Sequence, residues 1–170
     1  MSDIPVITLA LGHAASGKSL WAEREAARSG GALHYVATAR VWDTEMQGKV
    51  AAHAARRGAD WTLVEEPLDL ARVAAAADEG TVLIDCATMW LTNLMMEERG
   101  WREPAEAWIA AMRAAPARFV VVSNDVGGGV TPDNAMARAF QRDQGALNQR
   151  LAEVADRVVL VTAGLAQVLK

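Results

Sequence analysis

Four residues, Gly12, Gly17, Lys18 and Ser19, fall at the spacing Gly-x-x-x-x-Gly-Lys-Ser, with His13, Ala14, Ala15 and Ser16 between the two glycines. The apolar run ITLAL leads into them, and LWAEREAAR follows. A loop of this kind between a strand and a helix cradles nucleotide phosphates: its glycines let backbone N–H groups turn inward, and the helix N-terminus adds partial positive charge. Lys18 would reach the β- and γ-phosphates, and the Ser19 hydroxyl would ligate Mg2+. A helix dipole contributes about 0.3–1 kcal/mol per charge, whereas a hydrogen bond to a charged group contributes about 1.5–3 kcal/mol. The backbone donors and Lys18 therefore do most of the holding. A chance glycine-rich turn is the competing reading, and the flanking strand and helix argue against it.

A magnesium ion beside Ser19 needs a carboxylate, and Asp85 ends the apolar run TVLID as such an acid should. An acid after four apolar residues is common, so the loop is what gives Asp85 its meaning. His53 points to a different chemistry. Met46, Val50 and His53 share one helical face in a helix that Asp43 can cap, and Lys49, Arg56 and Arg57 surround the histidine. Cations around an imidazole disfavour its protonated form and leave it nucleophilic near neutral pH, and the same cations can bind phosphate. A surface histidine on a basic helix fits this spacing equally. Glu65 and Glu66, just before Pro67, offer acceptors for the N1–H and N2–H2 donors of guanine, or else cap the helix that Pro67 opens.

These residues need elements to position them. Apolar runs rich in β-branched residues recur at 6–11, 33–38, 61–64, 81–85, 118–123 and 157–162, mostly separated by helix-length segments. That alternation predicts an α/β fold with a mainly parallel sheet and helices on both faces. Ligands in such sheets gather at the carboxyl ends of the strands, which is where the loop, Thr38, Glu65, Asp85 and the stretch SNDVGGGVTP fall. The three glycines predict a mobile loop there, with Asn124 and Asp125 at its base. The helix TMWLTNLMMEER is apolar around most of its circumference and must be buried, in the core, under a large ligand or against another subunit. A covering helix is expected over 104–115, with Ala105, Trp108, Ile109 and Met112 as its stripe. A long one follows from Asp133, burying Met136, Phe140, Leu147, Leu151 and Val154 and leaving Arg138, Arg142 and Arg150 on the other face for solvent, phosphate or a partner.

At 170 residues the chain suits a single domain, 1–170, with no linker or repeat dividing it. A net charge of -4 argues against a nucleic acid or a polybasic membrane contact, both of which need clustered positive charge. The single cysteine, Cys86, allows no internal disulfide. No apolar run approaches the ~20 residues of a membrane span, and no signal segment stands at the start, so a soluble cytoplasmic protein is expected.

The stretches GHAASGKS, YVATAR, DTEM followed by His53, WTLVEEPLDL, VLIDCATMWLTNLM, SNDVGGGVTP and RAFQRDQGALNQRLAEVADRVVLVTAG cover almost the whole chain. In this order they resemble the bifunctional adenosylcobinamide kinase / adenosylcobinamide-phosphate guanylyltransferase family of cobalamin biosynthesis. The resemblance implies a RecA-like P-loop NTPase fold and a homotrimer. It implies two reactions: transfer of the γ-phosphate of ATP or GTP to the aminopropanol hydroxyl of adenosylcobinamide, then transfer of GMP from GTP to adenosylcobinamide phosphate through a guanylylated histidine. By its place after DTEM, that histidine is His53. Lys18, Arg56 and Arg57 would offset phosphate charge, Ala37, Thr38, Ala39 and Glu65 would meet the nucleoside, and Ser19 and Asp85 would hold Mg2+. A trimer would also give the apolar helix an interface to fill.

The chain departs from the family pattern in three places. His13 stands where the family carries a second glycine and Ala15 where it carries arginine, which would shift phosphate binding towards Arg40 or Arg56 and set a second imidazole beside the phosphates. Asp125 stands where glutamate is common. These departures keep two other readings in view. One is a kinase without guanylyl transfer. The other is a nucleotide-gated binding or assembly module on a RecA-like core, which would respond to the γ-phosphate without modifying cobinamide.

Overall fold

The fold is described from a computed structural model, which places residues 6–40 and 58–170. The predicted helix carrying Asp43, Met46, Lys49, Val50, His53, Arg56 and Arg57 lies outside the described residues. A seven-stranded sheet has the order β3-β2-β4-β5-β1-β6-β7. Its strands are β1 (Ile7–Gly12), β2 (Leu33–Ala37), β3 (Trp61–Glu65), β4 (Thr81–Asp85), β5 (Arg118–Asn124), β6 (Arg157–Thr162) and β7 (Leu165–Val168). All pairings are parallel except that of β7 with β6. Five helices are described: α1 (Lys18–Arg28), α2 (Leu70–Ala75), α3 (Ala87–Met96), α4 (Arg102–Ala114) and α5 (Ala135–Val154).

Strand periodicity divides the core in two. Leu9, Val82, Ile84, Phe119 and Val121 point to one face, where α2 to α5 pack around Trp90, Trp108, Leu147 and Leu151. Ala10, Leu83, Val120, Val122 and Val159 point to the other, covered by Ala22 and Ala26 of α1. Successive residues of a strand alternate faces, so continuous apolar runs such as FVVVS are what a doubly covered parallel strand requires. Trp90 and Trp108 meet with ring centroids 5.4 Å apart, and the Trp90 indole donates to the Leu68 carbonyl at 2.8 Å.

Three sequence expectations are corrected. Helix α5 begins at Ala135, not Asp133, because the Asn134 side chain caps it by accepting from Ala137 N at 2.7 Å. Met136, one turn too early to reach the sheet, is 71% exposed instead of buried. The apolar helix α3 is not buried all round: Trp90, Leu91 and Leu94 are enclosed, but Met96 is 63% exposed. Strand β7 was not expected from its sequence. It follows a two-residue hairpin in which Ala163 and Gly164 both have positive φ, 51° and 77°, the pattern of a type I′ turn. No described helix is long and apolar enough to cross a membrane.

Candidate nucleotide site

Parallel pairing brings the candidate residues to one edge. Gly12 is level with Asn124, while Ala37 is level with both Asp85 and Glu65. The loop from Gly12 to Gly17 connects β1 to α1, as its sequence predicts. Gly17, at φ 89°, is the N-cap of α1 and supplies no side chain to it, and the first turn holds no acidic residue. The first intrahelical bond is Trp21 N to Gly17 O at 3.0 Å, so the amides of Lys18, Ser19 and Leu20 have no intrahelical acceptor. An N-terminus left uncapped and free of acids is suited to an anion.

The two loop glycines are needed for different reasons. A Cβ on Gly12 would lie 2.6 Å from the Val161 carbonyl and against the Ser16 hydroxyl. One on Gly17 would lie 3.0 Å from Gly164 Cα, in a left-handed conformation that side chains disfavour. The hairpin turn thus supports the loop from beneath, and Gly164 N donates to Ser16 O at 2.8 Å.

Lys18 is 8% exposed and donates from Nζ to the His13 carbonyl at 3.0 Å. Burial pushes its pKa below the ordinary lysine range, and Cys86 and Asp85 oppose that shift. Burial, with Asp85 adjacent, pushes the Cys86 thiol up to about 12, so at neutral pH Cys86 is uncharged and Asp85 supplies the negative field near Lys18. Asp85 Oδ2 accepts from the Tyr35 hydroxyl at 2.8 Å, which orients the carboxylate at the end of β4. His13 is exposed, and its Nδ1 lies 2.8 Å from the Asp125 carbonyl. A carbonyl can only accept, so Nδ1 carries the proton. Asp125 N also donates to Gly12 O at 3.1 Å, and a Cβ on Gly128 would lie 3.4 Å from the His13 ring. The base of the glycine-rich loop is therefore tied to the phosphate loop by one backbone bond and by the His13 side chain, a contact that sequence reasoning missed.

Thr38 is fully buried. Its N donates to Asp85 O at 3.2 Å, its hydroxyl donates to Cys86 O and accepts from Cys86 N, each at 2.8 Å, and its carbonyl accepts from Asn93. Every polar atom of Thr38 is engaged within the protein, so its part in the site is to shape it. Of the glutamate pair, Glu66 accepts from the amides of Leu68 and Asp69 and pairs with Arg72. Those bonds organise the turn before α2 and, against the opposing effect of burial, lower the Glu66 pKa; the expected capping is corrected, because Asp69 caps α2 by accepting from Arg72 N at 3.0 Å and Pro67 stands outside the helix. Glu65 ends β3 exposed at the edge of the sheet. Arg40 pairs with Glu97 at 2.6 Å, so it does not stand in for the loop arginine in this arrangement. Arg138 closes onto the carbonyls of Pro132 and Asp133, and Arg150 pairs with Glu106 and Glu153. His53, Arg56 and Arg57 lie outside the described residues.

A parallel sheet, a strand–Gly-rich loop–helix and a buried lysine beside an aspartate at the next strand end but one define a RecA-like P-loop NTPase. The fold agrees with that of the flagellar accessory protein FlaH from Methanocaldococcus jannaschii, at a TM-score of 0.53 and 10% identity, over 97% of this chain and 78% of that one. Residues 8–169 match the family described as cobinamide kinase / cobinamide phosphate guanyltransferase, and the chain belongs to it. It is 43% identical over 166 residues to the bifunctional adenosylcobalamin biosynthesis protein CobP of Pseudomonas aeruginosa, covering 95% of this chain and 96% of that protein. It is 35% identical over 178 residues to CobU of Salmonella typhimurium, described in the same words, covering 94% and 97%.

Proposed function

We propose that this chain phosphorylates adenosylcobinamide with ATP or GTP and then transfers GMP from GTP, through a guanylylated His53, to give adenosylcobinamide-GDP. The observation that carries the reading is Lys18: buried beside Asp85 at the uncapped N-terminus of α1, in a family described by these two activities. In the first reaction the substrate hydroxyl oxygen attacks the γ-phosphorus, the hydroxyl proton is lost, and the nucleoside diphosphate leaves. Lys18 and the amides opening α1 offset the charge on the transferring group. In the second, a neutral His53 nitrogen attacks the α-phosphorus of GTP and pyrophosphate leaves. A phosphate oxygen of adenosylcobinamide phosphate then displaces the imidazole, so one difficult substitution becomes two easier ones. Arg56 and Arg57, three and four positions after His53 in the sequence, would offset phosphate charge, and Glu65 is the acceptor offered to the guanine edge.

Ser19 and Asp85 present a hydroxyl and an oriented carboxylate, hard oxygen donors of the kind Mg2+ takes alongside phosphate and water. When bound, Mg2+ would neutralise phosphate charge; Ser19 and Asp85 would hold it. A homotrimer in the cytoplasm, with small-molecule substrates and no nucleic-acid partner, accords with the family resemblance and with the net charge of -4.

The test is incubation with Mg2+ and GTP labelled at the α-phosphorus, then denaturation and peptide mapping. Acid-labile label on the peptide containing His53, absent in His53→Ala, is the expected result. Label that persists in His53→Ala would overturn the assignment of the nucleophile. Nucleotide binding and phosphorylation of adenosylcobinamide without any label would leave a kinase alone.

A further inference from the structure

Helix α3 holds the exit of β2 at two points one turn apart. Asn93 and Glu97 are four residues apart and so share a helix face. The Asn93 amide donates to the Thr38 carbonyl at 2.7 Å and to the Pro67 carbonyl at 3.0 Å. Both partners are acceptors, so only the nitrogen can face them, and the amide orientation is fixed. Asn93 is fully buried and its Oδ1 has no partner among the described residues. A residue that merely filled this space would be better as leucine, which leaves no oxygen orphaned; the asparagine is explained by the two carbonyls it pairs. One turn later, Glu97 accepts from Arg40 at 2.6 Å. That bond holds its carboxyl below the usual range.

The gripped carbonyls belong to the roots of two segments. Residues 38–40 run directly into 41–57, which carries His53, and Pro67 lies in the turn that follows Glu65 at the end of β3. Thr38 is in turn bonded to the backbone of Asp85 and Cys86. We propose that Asn93, supported by Glu97, is a positioning residue for guanylyl transfer, fixing the root of the histidine-bearing segment against β4 and against the β3–α2 turn. The proposal rests on the reading of His53 as the nucleophile. Among the described residues, neither side chain is bonded to the phosphate loop or to the Asp85 carboxylate, so the clamp bears on the second reaction more than on the first. This role is distinct from contact with substrate: Asn93 is enclosed and acts through Thr38 and Pro67.

The test measures both partial reactions, phosphorylation of adenosylcobinamide and covalent labelling from α-labelled GTP, in Asn93→Leu, Glu97→Ala, Glu97→Gln and His53→Ala, with thermal unfolding recorded for each. A small misplacement of a reacting group is enough to cost up to about a hundred-fold in rate, so Asn93→Leu should lower the labelling rate about ten-fold or more. Its KM for GTP and its phosphorylation rate should each change by less than about three-fold, since their loop contacts are untouched. Glu97→Ala, at an exposed site where folding is not at risk, should show the same selectivity at about three-fold. Glu97→Gln, which still accepts from Arg40, should restore labelling. Equal loss of both reactions in Asn93→Leu and Glu97→Ala, or wild-type labelling in both, overturns the clamp. If Asn93→Leu does not fold, the Glu97 pair decides alone by the same criterion. His53→Ala separates the two ideas: loss of label there with phosphorylation intact upholds the nucleophile whatever the clamp variants do, whereas persistent label removes both.

Discussion

The phosphate loop and the exit of β2 lie at the same edge of one sheet, and they use their polar atoms in opposite ways. At the loop, the amides opening α1 lack intrahelical acceptors, no side chain caps them, and Lys18 rests on a loop carbonyl that it can leave. At the exit of β2, the N, O and hydroxyl of Thr38 are all bonded inside the protein, and Asn93, which bonds that O, adds a further bond to the Pro67 carbonyl. The first region is arranged to gain its partners from a ligand; the second already has them. The difference separates residues that touch nucleotide from residues that hold the touching parts in place, although both kinds stand at strand ends.

Substitutions can break or sharpen that contrast. The largest effect is expected from Lys18→Ala, which should lower both reactions about 10²–10³-fold, as for removal of one preorganised donor in a charged transition state, with little change in melting temperature. An unaltered rate in either reaction would remove Lys18 from it. Gly17→Ala forces a side chain into a φ of 89° and against Gly164, and should cost about 1–3 kcal/mol of stability while weakening nucleotide binding. Titration with nucleotide and thermal unfolding would show both losses together. Thr38→Val keeps the shape but leaves the Cys86 amide without the hydroxyl, at about 1–3 kcal/mol. Here stability should fall with nucleotide affinity nearly unchanged, the reverse of Lys18→Ala, and a large loss of affinity would erase the contrast. The smallest functional consequence belongs to Cys86. Because the native thiol ionises only near 12 against an ordinary value of 9.0, alkylation at pH 8 should be much slower in the folded chain than in the urea-unfolded one. The unfolded thiol loses its proton first as pH rises, so this residue's contribution to stability is intact below about 9 and declines towards 12.

Much of this arrangement was legible from sequence because it is local. The loop spacing, the apolar strands and the acid ending TVLID each declare themselves within a few residues. The rest depends on partners distant in the chain. Asn93 reads as one polar residue on an apolar helix, and only the fold shows that Thr38 and Pro67 converge on it. Glu65 and Glu66 are equivalent in sequence; register leaves one exposed at the sheet edge and turns the other onto two amides and Arg72. Strand β7 was missed because LAQV is short and fully exposed, and Ala-Gly is a weak turn signal beside Asn-Gly. The position of Met136 was misjudged by carrying the buried stripe into the first turn of α5, where this side chain lies exposed.

The hairpin that β7 forms has a consequence for how the protein is made. Its turn at Ala163 and Gly164 closes against Ser16 and Gly17, so the phosphate loop takes its working shape from a stretch synthesised well after it. A nascent chain halted within α5 would carry the whole Gly-x-x-x-x-Gly-Lys-Ser motif and still lack the support beneath it. Nucleotide capture during synthesis should therefore report completion of the β6–β7 hairpin, and damage to that hairpin should register first as a failure to hold triphosphate.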